Sequence, residues 1–288
     1  MTRALAYYRP TSRAEAIELL TRPGHQTAPF IIQPKPTALR QMGADALIDL
    51  SLLGLNYIRE MKDGIVHIGA LATLQELVES PILKDGVKNI LGQAAALATG
   101  PGIRNLSGLW GALQARSGPP EVVLALLVLG AKVVIMGAGE NQRTLGLPEF
   151  YEQGLNSIQM SELMIEVILP VYQTGSGWAL ERVARTPRDE AIVAACAVVE
   201  VKDGRATRVS LAVAGANPLP RRIPAVEDLL TGKTFNERVL KEAADTVQAQ
   251  AEPRGDFRGS QEYRRSMAGL VARRALERAW DQAAGRER

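Results

Sequence analysis

The sequence predicts an α+β protein in two parts, on three observations. Two Asp-Gly turn signals, Lys62-Asp63-Gly64 and Lys202-Asp203-Gly204, each stand between apolar runs, which marks hairpins because Gly supplies the positive φ such turns need. Helix-like segments are interspersed with these strands, and two long ones close the chain. Between the halves lies Pro170-Val171-Tyr172-Gln173-Thr174-Gly175-Ser176-Gly177, a run of turn and linker residues. The expected units are residues 1–172 and 178–285.

The elements follow in order. Ser12-Arg13-Ala14-Glu15 has capping-box spacing, and the helix it opens should run through Ile17 and Leu20 and stop before Pro23-Gly24. Strand candidates are Pro29–Ile32 and Ala46–Leu50, then the hairpin arms Tyr57–Met61 and Ile65–Ile68. Leu71–Glu79 and Val87–Thr99 read as helices, and Val122–Leu129 as an apolar helix leading into the strand Lys132–Met136. Met164–Leu169 closes the first unit. In the second, Ala191–Val201 and Thr207–Ala214 form the second hairpin, followed by helices over Asn236–Ala251 and Ser260–Ala283.

Composition narrows the function classes. At 288 residues and 46% hydrophobic content the chain can bury a sizeable core. A formal charge of +3 with a pI near 9.1 and interspersed signs gives little reason to expect nucleic acid as a partner. The one cysteine, Cys196, rules out an intramolecular disulfide or an iron–sulfur site within the chain, and two histidines leave little for zinc. The N-terminus lacks an uninterrupted apolar leader and no run is long enough to span a membrane, so a cytoplasmic protein is expected.

Residues 100–118 read GPGIRNLSGLWGALQARSG. The frame Ile103-Arg104-Asn105, a Gly/Ser-containing turn, and an apolar helix running into Leu127-Val128-Leu129-Gly130-Ala131-Lys132 resemble the FAD-binding subunit of molybdenum hydroxylases. That family includes the medium subunit of aerobic carbon monoxide dehydrogenase and the flavin segment of xanthine dehydrogenase. The likeness extends to Tyr8-Arg9-Pro10-Thr11-Ser12, Leu47-Ile48-Asp49-Leu50, Ile68-Gly69-Ala70-Leu71-Ala72-Thr73, Arg185 with Asp189-Glu190-Ala191, and Arg258-Gly259-Ser260-Gln261-Glu262-Tyr263-Arg264-Arg265. The resemblance implies a two-lobed (PCMH-type) FAD-binding unit followed by a CO-dehydrogenase-flavoprotein-like α+β domain. It also implies partners: a small subunit whose iron–sulfur clusters feed the FAD, and a molybdopterin-containing large subunit that reduces those clusters. Such a chain is an oxidoreductase subunit rather than an independent catalyst.

Two loops hold the FAD pyrophosphate in that family, because glycine lets backbone N–H groups approach an anion closely. At the first, an Ala-Gly-Gly turn, this chain has Phe30-Ile31-Ile32-Gln33-Pro34-Lys35-Pro36-Thr37. The matching positions Ile32, Gln33, Lys35 and Thr37 include no glycine, and Pro34 and Pro36 each delete an N–H donor. At the second, where relatives read Thr-Ile-Gly-Gly-Asn, it has Gly108, Leu109, Trp110, Gly111 and Ala112. An indole at Trp110 fills space a pyrophosphate would take, and Ala112 lacks the amide of Asn.

Outside the loops, Arg104 and Asn105 keep family identity and read equally well as loop-fixing residues. Glu121 falls where many relatives carry an acid, and also suits the first turn of a helix. Arg182 matches a Lys near the flavin ring and Asp189 an acidic position; both also suit a domain interface. The expectation is therefore a medium-subunit homologue with lost or weakened FAD binding and a structural or assembly role. A working electron-transfer flavoprotein is the alternative, and a small-molecule-binding or regulatory module in the old cleft is a remoter one. Elsewhere, Cys196 reads as a small buried hydrophobe, His67 as an outward strand position, and Arg264, Arg265, Arg273, Arg274 and Arg278 as the basic face of an amphipathic helix.

Overall fold

A computed structural model describes residues 6–22, 27–30, 46–114, 119–152, 158–159, 161–173, 175–186 and 189–286; for 27–30, 114 and 152 it describes the backbone alone. The first unit begins with a small parallel sheet in the order β1-β3-β2, formed by β1 (Ala6–Tyr8), β2 (Thr27–Phe30) and β3 (Ala46–Asp49). Helix α1 (Arg13–Leu20) buries Ala16, Ile17 and Leu20. Ser12 caps it by accepting from the Glu15 N–H, while the Glu15 carboxylate reaches past Ser12 to the Thr11 N–H at 2.8 Å.

A five-stranded antiparallel sheet follows, ordered β4-β5-β8-β6-β7. Its strands are β4 (Ile58–Glu60), β5 (Val66–Gly69), β6 (Lys132–Met136), β7 (Gln142–Gly146) and β8 (Leu163–Leu169). The first hairpin pairs Ile58 with Ile68 around Gly64, whose φ is +81°. Helices α2 (Leu74–Glu79), α3 (Asn89–Ala98), α4 (Pro101–Arg104), α5 (Leu109–Gln114), α6 (Pro120–Val128) and α7 (Leu147–Glu152) complete the unit. Helix α2 starts three residues later than the apolar pattern from Leu71 suggests. Thr73 and Glu76 close a full capping box there, and that local signal fixes the start.

The second unit is an antiparallel sheet ordered β12-β11-β10-β9, made of β9 (Gly177–Val183), β10 (Val193–Lys202), β11 (Arg205–Ala214) and β12 (Arg221–Arg222). Its hairpin turns at Asp203 and Gly204, both with positive φ, the backbone of a two-residue hairpin loop. Helices α8 (Pro224–Leu230), α9 (Glu237–Ala249) and α10 (Gln261–Ala283) pack on one face. At Gly177 the start of β9 passes so close to α10 that a Cβ would lie 1.9 Å from the Ala279 carbonyl oxygen, so only glycine fits.

The long apolar runs now have a cause. On β10 and β11, Ala195, Ala197, Val199, Leu211 and Val213 face the second unit's helices. The alternate residues Ala194, Cys196, Val198, Ala212 and Ala214 join the core of the first unit. Both faces of this sheet are covered, and covered strands lose the apolar–polar alternation. The second cover includes α6, in which Glu121 through Val128 are all buried. A helix apolar on every side must be enclosed on every side. It touches α3 and α7 in its own unit and β10 and β11 in the other. The two units therefore share one continuous apolar seam.

Candidate functional site

The turn at Gly108–Ala112 is built as an extension of the segment after β5. The Leu74 N–H donates to Ser107 O at 2.8 Å, the Leu109 N–H to Ala72 O at 2.9 Å, and the Trp110 N–H to Ala70 O at 2.8 Å. Two of the three N–H groups that open α5 are thus spent on backbone carbonyls. For the third, on Gly111, no backbone acceptor is found among the described residues. A Cβ built on Gly111 would meet nothing within 4 Å, whereas one on Gly108 would make ordinary contact with Leu71 O at 3.6 Å. Trp110 points the other way: it is 3% exposed and belongs to the apolar core of the first unit. Ala112 is also buried.

Arg104 and Asn105 hold neighbouring backbone. The Arg104 guanidinium donates to Ala96 O at 2.8 Å and Thr99 O at 3.0 Å, and to the Gln75 side chain at 2.9 Å. It closes the C-terminal end of α3, where free carbonyls and the helix dipole favour a cation. The Asn105 amide donates to Pro101 O at 3.0 Å.

Glu121, Arg182 and Asp189 meet at the seam between the units. Glu121 stands in the first turn of α6 and is 2% exposed; Arg182 projects from β9 with its side chain 12% exposed. Arg182 Nη1 lies 2.9 Å from Glu121 Oε1 and 3.3 Å from Leu97 O, and Nη2 donates to Asp189 O. One guanidinium therefore ties the end of α3, the start of α6 and the loop after β9. Burial lifts the Glu121 carboxyl above its ordinary value, against the pull of its own backbone N–H and the Arg182 charge; nearby Glu190 pushes the same way as burial. The Asp189 carboxylate itself pairs with Arg185 at 3.3 Å.

The remaining expectations sort simply. Ile32, Gln33, Lys35 and Thr37, with the first loop, lie outside the described residues. Cys196 is fully buried at the seam; burial, then the Glu121 charge, pushes its thiol well up, which suits a buried hydrophobe and not a nucleophile. His67 is half-buried on β5, with Nδ1 3.2 Å from Glu166 Oε1. Glu166 also accepts from Tyr57 Oη at 2.7 Å, and burial followed by this carboxylate pushes the Tyr57 phenol up to about 12. No group of three metal-ligating side chains occurs among the described residues. The basic face expected on α10 needs correction at Arg264, which is buried and donates to Ile192 O at 2.5 Å and to Asp256 at 2.7 Å. Among these described residues no helix is long and apolar enough to cross a membrane.

Comparison with known proteins bears on the whole chain. The FAD binding domain in molybdopterin dehydrogenase matches residues 3–172, and the CO dehydrogenase flavoprotein C-terminal domain matches residues 178–279. The carbon monoxide dehydrogenase medium chain of Hydrogenophaga pseudoflava is 30% identical over 286 residues, covering 95% of this chain and 96% of that one. The medium chain of the same name from Afipia carboxidovorans is 31% identical, with the same shares covered. A solved structure of reconstituted CO dehydrogenase from Oligotropha carboxidovorans superposes with a TM-score of 0.88 at 29% identity, covering 97% of this chain and 98% of that one. The chain belongs to the family of FAD-binding medium subunits of molybdenum-hydroxylase-type enzymes.

The family's cofactor can be set against the described residues. A diphosphate needs several N–H groups aimed at one anion. The α5 turn offers one, on Gly111, and a helix this short adds little dipole. Arg104, Arg182 and Glu121 have partners within the protein, as do the Asn105 amide N–H and one oxygen of the Asp189 carboxylate. As arranged, this second loop does not fit an FAD pyrophosphate.

Proposed function

We propose that this chain is the medium subunit of a cytoplasmic molybdenum-hydroxylase-type complex, binds FAD weakly or not at all, and serves chiefly to hold the complex together. Its partners on this reading are a molybdopterin-containing large subunit and an iron–sulfur small subunit. The observation that carries the reading is the Arg182–Glu121 pair. Both side chains stand at positions that the resemblance matches to the family's FAD site, and they are committed to each other at 2.9 Å. A scaffold whose two units are already tied together has no need of a ligand to order them.

A second reading, a working electron-transfer flavoprotein, draws on Gly111, with its open outer side and spare N–H. The two diverge in a complex purified with its cognate subunits. Mass spectrometry of the complex should give all three chains, with flavin far below one per medium chain. A chain that stays solitary beside co-expressed large and small subunits contradicts the subunit role. Flavin at one per chain contradicts the structural role and supports the second reading.

A further inference from the structure

We draw no further inference here: the strongest candidate, the cavity of about 310 Å³ between the start of α9 and the C-terminal turns of α10, mixes the cations Arg273 and Arg286 with the acids Glu237, Glu277 and Asp281 along its walls, and nothing in the structure shows what fills it.

Discussion

Replacing Arg182 with methionine tests the seam most severely. The change leaves Glu121 at 2% exposure without a cation and strips donors from Leu97 O and Asp189 O. Removing one partner of a buried ion pair costs about 3–5 kcal/mol, because the other charge stays buried and uncompensated. Glu121 can escape part of that cost by taking up a proton, and burial already raises its pKa. Each further unit of rise is worth about 1.4 kcal/mol. The sign follows from the direction: a carboxyl whose folded pKa is raised stabilises least at high pH, since the folded state must release its proton against the unfolded state's preference. Stability should therefore fall as pH rises through the raised Glu121 value, and further in the variant. Urea denaturation should show Arg182→Met less stable than wild type by about 3–5 kcal/mol near pH 8 and by roughly 1–2 kcal/mol less than that near pH 5. The double change Glu121→Leu with Arg182→Met removes both charges and should recover to within about 1–2 kcal/mol of wild type. A single variant that loses under about 1 kcal/mol at both pH values, or a double variant no better than the single, would refute the buried clasp.

Other expectations follow from burial. The Tyr172 hydroxyl in the linker is buried without a hydrogen-bond partner, so Tyr172→Phe should be neutral or stabilising by up to about 1 kcal/mol in thermal denaturation. Cys196 should resist a thiol reagent in the native protein and react as one thiol per chain once unfolded. Trp110→Gly puts a glycine where relatives carry one. Its indole lies in the core, however, so the change should cost about 3–5 kcal/mol by urea denaturation, and Ala112→Asn beside it will not recover that loss.

Much of the fold could be read from the sequence because the local signals were complete. The strand Lys132–Met136 and both Asp-Gly turns match the structure, since apolar runs bounded by glycine allow few alternatives. The family frame was legible in Ile103-Arg104-Asn105 and its neighbours. The site was less so, because its pairings join residues far apart in the chain. Arg182 and Glu121 are separated by 61 positions, and each looked as suited to a ligand as to an interface. A signal did exist: an acid opening a wholly apolar helix must be buried, and a buried acid needs a cation. Arg264 departs from the helical pattern for a related reason. Helical spacing put it with other arginines, but the turn around Asp256, invisible to periodicity, covers that one position.

The most direct test of a medium subunit that has given up its cofactor is the flavin content of the purified chain, followed by titration with FAD. The expected result is a protein without flavin absorption bands that binds added FAD weakly or not at all, whether measured by quenching of flavin fluorescence or by calorimetry. A yellow protein releasing one FAD per chain on denaturation would contradict it outright.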